Sequence, residues 1–172
     1  MDIVSHAGWG YATLRWRGEK ASRIGALVGA APDLLAFVPS AARRVLHDGW
    51  NASPRMERDP SFWRQAGPLP PDLQYVYDHY YVFTHSLVIL LGVCGLLWLL
   101  RKRSWLWFAI PYGLHILMDI PTHVRFQTPF LYPLSRWTLQ GVSWSEPWIL
   151  LPNWILLILT LWWCRRRYAK PA

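Results

Sequence analysis

Apolar and polar positions along this chain fall into blocks. Positions 3–14 form a modest apolar stretch with helical spacing, closed by Arg15, Arg17, Lys20 and Arg23. Positions 24–38 are apolar almost throughout, about 22 Å as a helix, with Pro32 and Asp33 near the far end. Positions 80–100 give the clearest run, about 31 Å of helix, stopped by Arg101, Lys102 and Arg103. Positions 105–120 return and end at Pro121, and 147–164 cross once more before Arg165, Arg166 and Arg167. Runs of this length match the hydrocarbon thickness of a bilayer. The pattern predicts an all-α fold, a polytopic membrane helical bundle of four to five helices, with residues 1–172 forming a single membrane-embedded domain. The stretch 3–14 is short for a full crossing. Segment 39–79 is mixed, with Arg43, Arg44, Arg55, Arg58 and Arg64 set against Asp48, Glu57, Asp59, Asp72 and Asp78, and it is Pro-rich at 67–72. It reads as an extracytoplasmic loop with interfacial helices.

Composition sharpens this picture. The chain has 13 tryptophans, and many flank the apolar runs (Trp105, Trp107, Trp144, Trp148, Trp162, Trp163), where an amphipathic ring suits the headgroup layer. The net charge of +8 lies in knots beside apolar runs, as topology determinants facing anionic lipid do, so no nucleic-acid partner is expected. Keeping the knots 15–23, 101–103 and 165–170 in the cytoplasm gives the opposite face five helix ends. These are the starts of the first, third and last runs and the ends of the second and fourth. Cys94 and Cys164 sit in apolar surroundings without CxxC spacing, which indicates neither a disulfide framework nor a thiolate metal site. Residues 1–18 lack the features of a cleaved leader, so no removable signal peptide is expected.

Five of the 6 histidines fall at the outer ends, namely His6, His79, His85, His115 and His123, together with Asp33, Asp78 and Asp119. Ionisable groups at membrane depth are costly and mark function or pairing. His115-Ile-Leu-Met-Asp119 places imidazole and carboxylate on one helix face, a spacing that serves a metal ion or a structural His–Asp hydrogen bond equally. Asp33 follows Pro32 and could cap a helix or ligate. His47, between Arg44 and Asp48, reads as surface. Nitrogen and carboxylate donors without thiolate suit a divalent metal, zinc first and manganese or iron next, with His6, Asp33, His79, His85, His115, Asp119 and His123 as candidate ligands. That set exceeds the needs of one tetrahedral ion, so two or three ions are expected. Hydrolysis is the natural reaction class for such a centre, with Asp33 or Asp78 as general base.

In order, the residues His6, Ala31-Pro32-Asp33, Phe83-Thr84-His85-Ser86, His115-Ile-Leu-Met-Asp119 and Thr128-Pro129-Phe130-Leu131-Tyr132-Pro133-Leu134-Ser135 resemble a known family. It comprises bacterial inner-membrane proteins described as membrane-bound metal-dependent hydrolases, related to the DNA-damage-regulated hydrolase-like proteins of enterobacteria. The resemblance runs from residue 1 to about 137. It implies a multi-pass protein of the bacterial inner membrane, with the site facing outward on the charge count and His6, Asp33, His85, His115 and Asp119 as the core of the site. Two departures stand out. Leu35 occupies a position where many relatives carry a second acid, and Tyr80-Tyr81-Val82 replaces a His-Arg-Gly, leaving His79 one residue from the missing histidine. A looser similarity to zinc-dependent phospholipase C implies a phosphoesterase. Its substrate would be an amphiphilic phosphorylated molecule, a phospholipid or lipid-linked phosphate drawn from membrane lipid. Arg125 and Arg136 would hold its phosphate, or serve as solvated loop charges. Glu146 reads as a helix-start residue.

Two other functions fit the same residues. A metal-ion carrier or sensor would also bear intramembrane His and Asp, although such ligands would be strung across the bilayer and not gathered at one face. A structural membrane partner without catalysis would use them to join helices.

Overall fold

In the computed structural model, which describes residues 1–48 and 60–168, every regular element is helical. Helix α1 (Ile3–Thr13) leads through a 3-10 turn (Arg15–Arg17) into α2 (Glu19–Asp48). The short α3 (Pro60–Arg64) and α4 (Pro71–Val76) follow, and α4 runs through a wide π turn (Tyr77–Tyr81) into the one-turn α5 (Val82–Thr84). Then come α6 (Leu87–Leu99), a 3-10 stretch (Arg103–Phe108), α7 (Ala109–Thr122) and α8 (Pro147–Arg167).

The closest helix pair is built on glycine. A Cβ at Gly10 of α1 would stand 2.2 Å from the Gly25 carbonyl oxygen of α2, and one at Gly29 would stand 2.5 Å from the carbonyl oxygen of His6. The two backbones therefore touch, the close approach that small residues give to membrane helices. Asp2 caps α1 by accepting from the Ser5 amide at 2.8 Å. Asn153 of α8 accepts from Trp9 Nε1 at 2.9 Å and donates to Ser5 Oγ at 2.8 Å, which fastens α8 to α1.

Two elements differ from the pattern of the sequence. Helix α2 does not stop near Val38 to begin a loop at 39; it continues through Pro39 to Asp48. Proline deletes one backbone hydrogen bond, which membrane helices tolerate, and the Ser-Ala-Ala-Arg-Arg that follows favours helix. The surface reading of His47, and the readings of the loop charges 43, 44, 48 and 55–59, lie outside the described side chains. The run 80–100 is not one straight span, because α5 and α6 are separated by a bend of 40° at His85 and Ser86. Ser86 is extended, its Oγ accepts from the Ile89 amide at 3.1 Å to cap α6, and the freed Leu87 amide donates to the Phe130 carbonyl at 3.0 Å.

Against the four to five helices expected, two helices among the described residues are long and apolar enough to cross, Glu19–Ala42 within α2 and α8, with the bent pair Pro71–Thr84 and Leu87–Leu99 as a third if it crosses as one span. Helix α7 has 14 residues, short for a crossing by itself. Burial is inverted relative to a water-soluble protein. Leu91, Leu96 and Leu99 of α6 and Leu151, Ile155, Leu159 and Trp162 of α8 are exposed, while Ser5, His6, His85, His115 and Asp119 are at most 1% exposed. An apolar surface of that extent belongs against lipid. The basic knots gather at one end of the bundle, where Arg15 reaches the Tyr168 carbonyl at 3.5 Å and Arg17 lies 4.5 Å over the Trp107 ring. Asp33 lies 14 positions along α2 from Glu19, about 21 Å away.

Candidate metal centre

Helices α2, α5 and α7 each bring donors to one point. Asp33, His85, His115 and Asp119 offer one ligand atom apiece, all within 4.8 Å of one another. His85 Nε2 lies 3.1 Å from His115 Nε2, 3.4 Å from Asp33 Oδ1 and 3.6 Å from Asp119 Oδ2. His115 Nε2 lies 3.2 Å from Asp119 Oδ2 and 3.7 Å from Asp33 Oδ1. Donors held 2.0–2.2 Å from a tetrahedral ion are separated by about 3.3–3.6 Å, so the observed spacings straddle what a zinc-like ion requires.

The backbone and a hydroxyl set the tautomers. His115 Nδ1 stands 2.6 Å from the Gly29 carbonyl, which can only accept, so Nδ1 carries the proton and Nε2 the lone pair. His85 Nδ1 stands 2.9 Å from Thr84 Oγ1, and that hydroxyl donates to the Tyr81 carbonyl and accepts from the ring. Two lone pairs thus face each other at 3.1 Å. Asp119 Oδ2, fully buried beside them, has no hydrogen-bond partner. Four donors so arranged could hold a divalent ion.

Around the other oxygen of Asp119 a second set gathers. His6 Nε2 is 3.0 Å from Oδ1 and its ring stacks 3.6 Å from His115. His123 Nε2 is 3.6 Å from Oδ1, and the amino group of Met1 contacts Oδ1 and sits 3.0 Å from His123 Nε2. The irregular segment from Gly141 to Trp144 holds this corner. The amides of Gly141, Val142 and Trp144 donate to the carbonyls of His123, Pro121 and Thr122, satisfying the end of α7.

Not every residue singled out in the sequence arrives. His79 is exposed, stacks on Tyr75 at 4.0 Å and bonds the Tyr75 carbonyl at 2.9 Å, so it is corrected from ligand to surface residue. Asp78 accepts from Gln74 Nε2 at 2.8 Å on the outside and is no general base for this centre. On a regular helix Asp78 would share a face with His85, seven positions on, but the π turn inserts an extra residue and swings it away. Arg136 is exposed, whereas Arg125 lines a cavity beside the centre. Glu146 precedes the first turn of α8, its backbone carbonyl accepting from Ile149 and Leu150, with Arg64 3.6 Å from its side chain. Tyr81 and Asn153 were not among the sequence candidates. Tyr81 stacks 3.7 Å over His85 and places its hydroxyl 2.9 Å from His123 Nδ1.

Over residues 1–171 the sequence matches the family described as YdjM inner membrane protein. The chain belongs to this family. Membership agrees with the lipid-facing surface of this YdjM family protein and with its helices long enough to cross a bilayer. No curated protein and no solved structure matches the chain.

Proposed function

We propose that this member of the YdjM family is a membrane-bound metal-dependent hydrolase acting on phosphoesters of membrane lipid at the extracytoplasmic face. The observation that supports it is the facing pair of Nε2 lone pairs beside the partnerless Asp119 Oδ2, completed by Asp33. Asp33, His85, His115 and Asp119 would hold the ion, zinc by donor type, with His6 and His123 placed about Asp119 Oδ1 for a second. When bound, the ion would supply Lewis-acid polarisation of a phosphoryl oxygen and acidify water. Gly29 and Thr84 fix which imidazole nitrogen points inward. Asp33 is the one of the four that reaches the adjoining cavity, so its carboxylate is the group available to take a proton from incoming water.

A second reading has its own observation: His6 bonds Asp119 directly, which a purely structural knot between α1 and α7 would also show. Elemental analysis of detergent-purified protein separates the two, comparing the native chain with an Asp33→Asn, Asp119→Asn double variant. One or more equivalents of metal in the native chain and none in the variant, followed by turnover in a phosphoester screen, is the expected result. A native chain that stays metal-free after metal is added back would overturn the hydrolase reading in favour of the knot.

A further inference from the structure

Beside Asp33 and His123 lies a half-open cavity of about 310 Å³. Its wall is apolar and aromatic, formed chiefly by Ile3, Phe37, Val38, Trp63, Phe126 and Trp144. Phe37 and Trp63 pack on Phe126 with ring centroids 5.7 and 6.2 Å away, which gives the wall a fixed shape. Two cations border it, the Met1 amino group, which is turned to Asp119, and Arg125. The Arg125 guanidinium lies 3.9 Å over the Phe62 ring, and its Nε donates to the Gln65 carbonyl at 3.0 Å. Among the described residues it has no carboxylate partner. A cation held by a ring and a carbonyl keeps its terminal N–H groups available for an anion.

We propose that this cavity is the substrate's chain-binding subsite: it takes a single hydrocarbon chain of an anionic, phosphate-bearing amphiphile, whose head group rests between Arg125 and the metal centre. The inference rests on the hydrolase reading and deepens it. Three features lead to it together. The cavity is continuous with the centre through Asp33 and His123. Its lining includes the polar groups of Asp33, His123 and Arg125 beside a wall that is mostly hydrocarbon and ring. Its volume is at the lower end of small-molecule pockets, which suits one chain and not two. Arg125 is therefore a substrate-positioning residue, and Val38, 54% exposed on α2, sets the room left for the chain.

The test is photolabelling of the full chain in phosphatidylcholine vesicles with a dodecylphosphonate that carries a diazirine at the chain end, with label sites mapped by mass spectrometry. Label is expected on the peptides bearing Phe37 and Phe126. Unlabelled dodecylphosphonate should displace it and inorganic phosphate should not. Val38→Trp, which fills the cavity, and Arg125→Met should each lower labelling by about tenfold, the scale of one charge-assisted contact or one blocked chain site. Metal content, measured on the same samples, should equal that of the native chain and reports that the variants are folded. Label spread over the outer faces of α6 and α8 and unchanged in both variants would overturn the proposal, and so would equal competition by inorganic phosphate. A metal-loaded chain with scattered label removes the subsite and leaves the hydrolase reading standing. A metal-free chain with label focused in the cavity overturns the hydrolase reading and, with it, the cavity's role as a substrate subsite, leaving an amphiphile-binding cavity alone.

Discussion

Tyr81 presents its hydroxyl to Nδ1 of His123 at 2.9 Å. The same ring lies 3.7 Å over His85, so one buried side chain from the π turn steadies two imidazoles on different elements. Outer partners of this kind orient ligands and keep the metal-facing nitrogen basic. Tyr81→Phe keeps the stack and removes the hydroxyl. It is expected to weaken metal affinity by about tenfold while leaving the stoichiometry at saturation unchanged. Competition against a chromophoric chelator measures this, and an unchanged affinity would detach His123 from the centre.

Contact between α1 and α2 makes Gly29 sensitive to a single methyl. With a Cβ only 2.5 Å from the His6 carbonyl oxygen, Gly29→Ala must push the helices apart, at a cost of about 1–3 kcal/mol. Thermal unfolding in detergent should show a lower midpoint. Gly92→Ala on α6, where a Cβ meets nothing within 4 Å, is the matched control and should be neutral or slightly stabilising.

Asn153 is the polar link from α8 to the rest of the bundle. Asn153→Leu leaves Trp9 Nε1 without its acceptor and is expected to cost about 1–2 kcal/mol. Metal content should be retained, because no ligand atom depends on α8. Loss of metal in this variant would show that the last helix supports the centre.

His79→Ala and Asp78→Asn form the complementary experiment. Both side chains lie outside the cluster, so metal stoichiometry should equal that of the native chain and stability should move by no more than about 0.5 kcal/mol. A fall in bound metal for either variant would contradict the geometry described here.

The sequence carried some of this site openly. His115 and Asp119, four positions apart, had to share a helix face, and Asp33 and His85 were visible as polar intrusions into apolar runs. His79 could have been excluded from the same arithmetic, since six positions separate it from His85, about 120° round a regular helix. The π turn and the break at Ser86 were not visible, because polar residues beside or within an apolar run signal neither a widened turn nor a bend by themselves. Tyr81 was hidden for another reason: a tyrosine at a headgroup boundary looks like an interfacial anchor, and only the fold brings it to His123. The length of α2 was obscured by Pro39, which reads as a terminator in water and is tolerated here.

The bond from His6 to Asp119 joins positions 113 apart in the chain. A ribosome adding about 5–20 residues per second needs roughly 6–23 s to go from one to the other. By the end of that interval His6 and Asp33 have long been delivered with the first hairpin, whereas Asp119, the acid that His6 bonds, is the last to be made. Biogenesis therefore passes through a stage in which the earliest helices hold only a minority of the polar centre, and the order of synthesis makes α7 the element that closes it.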